Sequence, residues 1–487
     1  MLTTTEIKRF IDDDAASKKK RLATIGQNYY EAKHDILKYS MVYFNADGKL
    51  VEDKVRSNIK ISHPFFTELS DQLASYILSS KENPIRAKEK AEGLQDYLDL
   101  YFDEEFWAEV GDMIIGAYNK GFDYIYAYRN KENRLAFQYA DSMGVVEVRA
   151  KDTDDACEYI IYWYIDRIEK GRKEIKRIQV WSDKETHYFV QIGSGKIQPD
   201  KTVEINPRPH IVYTDEKSGK KMGDSFGFIP FWRLDNNRKQ ISGLKPIKAM
   251  IDDYDLMMCG LSNNLVDFDT PLHVVKGFEG SDLNELQQNI KTKKIIGVDE
   301  AGDVDVKTVD IPYEARLAKA AENERNIYKF GMGMNTYGLK DTTATTNVVI
   351  KAAYEGLNIK ATNLIRRLKA VLKDICKVVI DEINKAHETG FSISDIEFKF
   401  VPTTMTNEKE NAETEKAKAD TQQVKVNTIL NVAETIGDEQ VLKLICEQLD
   451  LDYEDIKSAV EKAQKDADLS AAQNALNNVV INEPIEE

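Results

Sequence analysis

The segment Phe228–Asp269, FIPFWRLDNNRKQISGLKPIKAMIDDYDLMMCGLSNNLVDFD, decides the fold of this chain. It opens with an aromatic, strand-like end and a polar turn, and a helix about 30 Å long is predicted from Pro246 to Val266. Three aspartates, Asp252, Asp253 and Asp255, are predicted to form a solvated acidic face on it. The apolar residues recur at steps of three and four, as on one buried helix face: Ile247, Met250, Ile251, Tyr254, Met257, Met258, Leu261 and Leu265.

The composition excludes several classes of protein. The chain has 487 residues, enough for about three domains, and 42% of them are hydrophobic, which supports a sizeable core. A formal net charge of -16 argues against a free-standing basic nucleic-acid binder, because phosphate contacts need clustered lysine and arginine. The four cysteines lie far apart without a CxxC pair, so neither a disulfide framework nor a zinc site is expected.

No targeting or membrane-spanning segment is expected. The N-terminus lacks the apolar core of a signal peptide, and no run approaches the roughly 18 apolar residues of a membrane helix. We therefore expect synthesis in a reducing cytosol and no membrane partner. The charge is concentrated at the C-terminal end, where residues 407–487 hold 19 Asp and Glu against 8 Lys and Arg, a net charge of -11.

The N-terminal half divides into a helical part and a β part. Residues 1–120 have helix-forming composition, with apolar helix faces at Phe65–Ile77 and Trp107–Tyr118, and Gly121 is a predicted C-cap. Short segments with alternating polarity then predict an antiparallel β layer rather than a βαβ unit. The predicted strands are Asp123–Arg129, Leu135–Tyr139, Val145–Arg149, Tyr159–Ile165, Glu174–Ser182 and Thr186–Ile192.

A small α/β module is predicted at residues 270–311, between the first long helix and a return helix. We expect a strand at Leu272–Val275, a short helix at Ser281–Asn289, and strands at Lys294–Val298 and Val304–Val309 around a turn with the sequence DEAGD. About 40 residues bury little surface alone, so this module needs neighbours.

The C-terminal half is predicted to be mainly helical. We expect a helix at Pro312–Asn335, a Gly- and Thr-rich loop at Tyr337–Thr346, and the longest helix at Asn347–Thr389, with Gly356 as a candidate kink site. The remaining predictions are a strand at Ile393–Val401, helices at 407–434, 438–449 and 453–465, and a disordered end at 466–487.

The apolar residues from Ile350 to Val378 alternate at steps of four and three, which allows two interpretations. The pattern is that of a coiled coil, through which the chain would oligomerise as another kind of virion or scaffold protein. It is also that of an amphipathic helix packed inside a domain, which we favour because only about four heptads repeat.

No catalytic constellation is found. The GSGK segment at Gly193–Lys196 lacks the spacing of a phosphate-binding loop and is predicted to be a hairpin turn, and GMGMN at Gly331–Asn335 is predicted to end a helix. The six histidines lack metal-ligand spacing, so no metal and no cofactor are expected. The three aspartates fan over a wide arc of their helix and do not converge on one site. A nucleic-acid-processing enzyme is therefore the lesser alternative.

The order of these parts resembles that of the portal proteins of tailed bacteriophages, in the branch typical of phages of Gram-positive hosts. The resemblance covers residues 228–401. It lies in the strand and Asn-rich turn IPFWRLDNN, the helix SGLKPIKAMIDDYDLMMCGLSNNLVDF, and then a small α/β module, a second helix, a loop and a long helix. It implies an α+β, mainly helical subunit with several domains that assembles into a ring, usually of twelve copies, with a central channel.

The resemblance also implies a domain division and a set of partners. The ring would lie at the portal vertex of the virion capsid and pass double-stranded DNA without sequence preference. Its protein partners would be terminase, a head-tail adaptor, and major capsid and scaffolding proteins, and it would carry no catalytic activity. The implied parts are the wing at 1–241, the stem helices at 242–269 and 312–335, the clip at 270–311, the tunnel loop at 336–346, a kinked wing helix with a returning strand at 347–406, and the crown at 407–465.

Two groups of site residues follow from this resemblance. A net-acidic channel wall suits a conduit, because many phosphate contacts would hold back moving DNA. The segment Leu244–Asp269 fits, since it carries two Lys and five Asp. The residues expected at the DNA channel are Lys340, Thr342, Thr343, Thr345, Thr346, Lys319, Lys329, Asp252, Asp253 and Asp255. The residues expected at the clip docking surface are Lys291, Lys293, Lys294, Asp299 and Glu300.

Overall fold

The three-dimensional structure is a computed structural model of the chain. It contains 49% helix and 23% strand, which confirms the predicted α+β class. The residues that it describes are 1–45, 47–54, 56–80, 82–130, 132–150, 157–169, 173–214, 221–267, 272–278, 298–307, 312–335, 347–402, 408–431, 437–449, 453 and 456–458.

The chain forms two compact units. The first consists of Met1–Lys340 and Ala352–Thr404, and the second of Asp341–Lys351 and Met405–Glu487. The α-helices in the described ranges are α1 (Thr4–Ala15), α2 (Lys18–Tyr30), α3 (Phe65–Ile77), α4 (Leu94–Tyr101), α5 (Glu104–Lys120), α6 (Lys248–Asp267), α7 (Tyr313–Gly331), α8 (Asn347–His387), α9 (Glu408–Asn431) and α10 (Asp438–Leu449).

The strands of the first unit pair antiparallel in several sheets. They are β1 (Val42–Phe44), β2 (Leu50–Glu52), β3 (Ile85–Ala87), β4 (Phe122–Arg129), β5 (Leu135–Ala140), β6 (Val145–Arg149), β7 (Cys157–Glu169), β8 (Lys173–Trp181), β9 (Glu185–Ile192), β10 (Gln198–Pro199), β11 (Arg208–Pro209), β12 (Ile211–Thr214), β13 (Lys221–Asp224), β14 (Phe231–Asp235), β15 (Leu272–Phe278), β16 (Val298–Lys307) and β17 (Ile396–Phe398).

The predicted antiparallel β layer is confirmed, and it is divided between two sheets. One has the strand order β10-β9-β8-β7-β6, with β11 beside β9, and the other has the order β14-β4-β5. Aromatic side chains fill the space between them; Tyr126 and Phe231 stack with ring centroids 4.9 Å apart, and Trp181 meets Phe231 edge-on at 5.4 Å. The alternation in the sequence therefore reflects strands that each bury one face.

Local capping signals set the helix boundaries. The Thr3 side chain accepts a hydrogen bond from the Glu6 N–H while Glu6 accepts one from the Thr3 N–H, which is a capping box at the start of α1. Asp103 caps α5, and Gly121 ends it at φ 96°, as predicted. A Cβ at Gly121 would also lie 2.3 Å from the Gln240 carbonyl oxygen, so no larger residue fits there.

From Ala352 onward, the long helix with the four-three repeat is part of the first unit. α8 runs from Asn347 to His387, about 60 Å, and Gly356 does not end it. The repeat residues buried in the main core are Leu357, Ala361, Leu364, Leu368, Val371 and Ile375. They pack with apolar residues of α3 and α5, so this face is not available to a coiled-coil partner. The interpretation as a packed helix is confirmed.

Two strand predictions are corrected. The DEAGD sequence does not separate two strands, because it lies within β16, which pairs with β15; residues 299–302 form an irregularity in the register, between the pairs Lys276↔Asp303 and Phe278↔Val298. An irregularity of this kind accommodates the local turn preference inside a paired strand. The predicted strand Ile393–Val401 is shorter, covering only Ile396–Phe398, and pairs with β3 near the N-terminus. The predicted helix at Ser281–Asn289 lies outside the described residues.

Candidate functional site at the paired central helices

α6 and α7, the two helices that flank residues 270–311, pack side by side. Asn323 of α7 donates a hydrogen bond to Asp253 Oδ2 at 2.7 Å, and Lys319 Nζ lies 3.5 Å from the same oxygen. Further along, Gly260 of α6 faces Arg316, where a Cβ would lie 2.6 Å from Nη1. The contacts run forward along α6 and backward along α7, so the helices are antiparallel, as a stem with an insertion at its far end requires.

Asp255 of α6 is fully buried and holds two histidines from the N-terminal region. Its Oδ2 lies 2.6 Å from His34 Nδ1, and its Oδ1 lies 2.8 Å from His63 Nδ1 and accepts the His63 N–H at 3.0 Å. The His34 ring, also fully buried, stacks on Tyr29 of α2. One carboxylate therefore joins two N-terminal segments to the central helix.

The hydrogen bonds keep this buried carboxylate ionised. Burial alone raises the pKa of Asp255, but the bonds from His34 and His63 outweigh it and hold the pKa below its usual value. The predicted solvated face is therefore wrong for Asp255, because its charge is satisfied inside the protein. It cannot line a channel in this conformation.

A ladder of hydrogen bonds fastens the segment 57–63 along α6. The backbone N–H groups of alternate residues donate to side chains spaced four residues apart on the helix. The pairs are Ser57 to Asp267 Oδ1 at 3.0 Å, Ile59 to Asn263 Oδ1 at 2.6 Å, Ile61 to Cys259 Sγ at 3.2 Å and His63 to Asp255 Oδ1 at 3.0 Å. The two spacings match, since two extended residues span about 6.6 Å and four helical residues about 6.0 Å. This face of α6 is thus a docking surface for the chain's own backbone.

Asp252 takes part in an adjoining network that shares Tyr29 with His34. The Tyr29 hydroxyl donates to Asp252 Oδ1, and Lys248 Nζ lies 2.8 Å from Asp252 Oδ2 and 2.6 Å from Asp35 Oδ2. Burial lowers the pKa of Lys248, but its hydrogen bonds to Asp252 and Asp35 raise it above the usual value overall. The Asp252 and Asp253 side chains remain 36% and 38% exposed, so these two can still face solvent.

The end of α7 is anchored where the predicted tunnel loop begins. The Gln72 side chain of α3 donates to the Met334 carbonyl oxygen at 2.9 Å and accepts the Met334 N–H at 2.7 Å. Gly333 lies so close to α3 that a Cβ would lie 2.0 Å from a methyl group of Leu69. The chain therefore leaves this helix from a fixed position. GMGMN does end the helix, as predicted, since α7 stops at Gly331.

Lys360 of α8 caps the same helix end and was not anticipated from the sequence. Its Nζ donates to the Gly331 carbonyl oxygen at 2.9 Å and lies 3.5 Å from the Tyr118 hydroxyl. Burial lowers the pKa of Lys360 to about 7. A cation near the last carbonyl groups stabilises a helix C-terminus. One lysine in a helix rich in them carries no sequence signal of this role.

The other predicted site residues differ in their exposure and in their partners. Lys319 is 47% exposed and pairs with Asp253, whereas Lys329 is exposed and lies near the Phe330 ring. Asp299 and Glu300 lie on strand β16, and their side chains are not described. The candidates outside the described residues are Lys291, Lys293, Lys294, Lys340, Thr342, Thr343, Thr345 and Thr346.

Metal binding and membrane insertion are two further possibilities for the described residues. Within the described ranges, no group of three or more His, Cys, Asp or Glu side chains is arranged to hold a metal ion. In the same part of the chain, no helix combines the length and the apolar character that crossing a membrane requires.

Comparison with known proteins identifies the family. Residues 8–465 match the family Phage portal protein, SPP1 Gp6-like. The portal protein of Bacillus phage SPP1 is 24% identical over 349 residues, which cover 72% of this chain and 67% of that protein. The portal protein of Clostridium phage phiCD119 is 24% identical over 429 residues, which cover 80% and 87%. Both phages infect Gram-positive hosts, so the resemblance seen in the sequence is confirmed. The chain belongs to the SPP1 Gp6-like family of phage portal proteins.

Proposed function

We propose that the chain is the subunit of a portal ring, of twelve copies, at one vertex of a phage capsid. Double-stranded DNA enters and leaves the head through its channel, and terminase and head-tail adaptor proteins dock on it. The ring contacts the major capsid and scaffolding proteins and catalyses no reaction. Family membership over residues 8–465 is the observation that carries this proposal. The antiparallel pair α6–α7 supports it.

Within this proposal the parts of the chain take the roles that the resemblance implies. Residues 1–241 and 347–406 form the wing, α6 and α7 the stem, 270–311 the clip, 336–346 the tunnel loop and 407–465 the crown. The ladder between segment 57–63 and α6 supports a wing that moves with its stem as one body, because four backbone groups are bound along the helix.

The channel wall would carry mixed rather than purely acidic charge. Asp253 and Lys319 lie 3.5 Å apart and partly neutralise one another, while Lys329 is exposed on the same helix as Lys319. Paired charges attract DNA phosphates weakly, which suits a conduit that must not hold its cargo. We propose Asp252 and Asp253 as residues of the channel wall. Asp255 is not one of them because its side chain is buried.

The tunnel loop would contact DNA through Lys340, with Thr342, Thr343, Thr345 and Thr346 beside it. Its N-terminal anchor at Gln72 and Met334 supports a loop that can shift without disturbing the core. The test is Lys340→Ala and Lys340→Glu, compared with Lys184→Ala at an exposed position that is not a channel candidate, measured as DNA packaged per head. Unchanged packaging and ejection for both Lys340 variants would remove this role.

The clip would offer Lys291, Lys293, Lys294, Asp299 and Glu300 to docking proteins. Charged rim residues change association rates with charged partners. Reversing the three lysines to glutamate should slow binding of terminase or adaptor to isolated rings and leave ring assembly intact. Binding kinetics equal to those of the wild type would exclude these residues from the docking surface.

A packaging experiment tests the function as a whole. Heads are assembled from capsid and scaffolding proteins with and without this chain, and DNA protected from nuclease is measured after addition of terminase and ATP. Protected DNA should require the chain, and each filled head should carry it at a single vertex. Equal protection without the chain would overturn the proposal.

A further inference from the structure

A groove of about 690 Å³ lies between α2 and the segment that leads into α6. Its apolar floor includes Leu22 and Ile25, which are 51% and 38% exposed. Five lysines line it: Lys18, Lys19, Lys239, Lys245 and Lys248. We call it the lysine groove. No Asp or Glu is among its described lining residues, in a chain whose net charge is -16.

Most of this positive charge is unneutralised. Lys248 is bound by Asp35 and Asp252, and Lys19 lies over the Phe122 ring at 3.6 Å. The side chains of Lys18, Lys239 and Lys245 form no ion pair or hydrogen bond with any other described residue, and all three are exposed. Burial and the nearby Arg233 lower the pKa of Lys19 to about 8. A carboxylate placed in the groove would stabilise the charged form of this lysine.

A surface of the opposite kind occurs elsewhere on the same unit. Residues 96–105, DYLDLYFDEE, run from within α4 to the first turn of α5 and carry five carboxylates and no Lys or Arg. In the described part of the chain none of the five forms an ion pair with a basic residue. Leu100, in their midst, is 58% exposed. We call this segment the acidic edge. The acidic edge presents an apolar side chain surrounded by negative charge. The lysine groove, in contrast, presents an apolar floor surrounded by positive charge.

A ring built by head-to-tail contacts requires two different, complementary surfaces on every copy. We propose that the lysine groove of one copy receives the acidic edge of the next, with Leu100 seated against Leu22 and Ile25. This inference rests on the proposed function, since it assumes a ring. A nucleic acid is the less fitting occupant, because a phosphate backbone offers no apolar group for the exposed leucine and isoleucine.

Charge reversal on both surfaces tests the contact. Lys239→Glu with Lys245→Glu should raise the protein concentration needed for half-maximal ring assembly by about tenfold or more, and Asp96→Lys with Glu105→Lys should do the same. All four changes in one chain should bring assembly back to within about threefold of the wild type, because the charges are complementary again. Sedimentation velocity measures the assembled fraction in low and high salt. The matched control, Lys173→Glu with Lys184→Glu, alters equally exposed lysines outside the groove.

An uncharged variant gives an independent measure. Leu100→Asn should weaken assembly without lowering the melting temperature, because the side chain is exposed in the single chain. The proposal is overturned if the groove variant assembles like its control, or if the combined variant assembles no better than each pair alone. Unchanged rings that bind less duplex DNA would instead assign the groove to nucleic acid. If the proposed ring does not exist, the wild type itself will not assemble into rings. If only this inference is wrong, the wild type will assemble and the variants will assemble equally well.

Discussion

The Asp255 carboxylate lies 2.6 Å from His34 Nδ1, and both side chains are fully buried. The second oxygen of the same carboxylate binds His63 through both its ring and its backbone N–H. The Asp255 carboxylate therefore connects the predicted stem helix to the N-terminal region through buried hydrogen bonds. The contact should therefore affect both the stability of the chain and the dependence of that stability on pH.

Replacing Asp255 by asparagine should lower the free energy of unfolding by about 2–4 kcal/mol, because buried hydrogen-bonded partners lose their charged acceptor. Urea unfolding of the purified chain measures the change. Asp253→Asn is the matched control, since that side chain is 38% exposed and a surface pair contributes less than about 1 kcal/mol. Equal effects of the two substitutions would contradict the assignment.

Asp255 should also make stability depend on acidity. Its pKa in the folded chain is held below the ordinary value, so the unfolded state binds the proton first as the pH falls. The stabilisation is present above about pH 4 and is lost progressively below it. The stability gap between the wild type and Asp255→Asn should therefore shrink as the pH falls below the ordinary carboxyl pKa of about 4. A gap that stays constant below this pH would count against an ionised Asp255.

The ladder along α6 makes a local prediction. Asn263→Ala leaves the Ile59 N–H without its acceptor at 2.6 Å, which should cost about 1–3 kcal/mol and speed hydrogen exchange at Ile59. Asn264→Ala is the control, because the neighbouring side-chain amide forms no hydrogen bond with another described residue. If exchange across residues 57–63 is the same in both variants, the ladder does not hold the segment.

Because Lys360 is buried, we predict that the free energy of unfolding rises with pH. Burial lowers its pKa to about 7 in the folded chain, so between there and its unfolded value near 10.5 the unfolded state binds more protons. The free energy of unfolding of the wild type relative to Lys360→Met should increase by up to about 1.4 kcal/mol per pH unit in that window. Lys373→Met, at an exposed position of the same helix, should show no such trend. Parallel pH profiles for the wild type and Lys360→Met would contradict this account.

The sequence predicted those elements whose residues repeat with a local period. Steps of three and four predicted the central helix at Pro246–Val266, and it runs from Lys248 to Asp267. Alternation likewise predicted the strands between Phe122 and Ile192. Periodicity predicts these elements correctly because each of them buries one face. The spacing of the apolar residues follows from the burial of that face.

The sequence did not predict contacts between distant residues. Asp255 was assigned to solvent because a charged residue on a helix is usually exposed, and its partner His34 lies 221 positions upstream. The local composition of DEAGD predicts a turn, although the sequence lies within β16 as a register irregularity with paired residues on both sides. The sequence contains one signal of the ladder, the four-residue spacing of Asp255, Cys259, Asn263 and Asp267. That spacing can be interpreted only once the path of segment 57–63 along the helix is known.

Cryo-electron microscopy of the purified full-length chain tests the central claim most directly. The account predicts closed rings with an open centre, in which α6 and α7 of every copy line the channel, Asp253 and Lys319 lie toward it, and Asp255 stays buried against His34. Small elongated oligomers, or rings whose centre is lined by other elements, would contradict it.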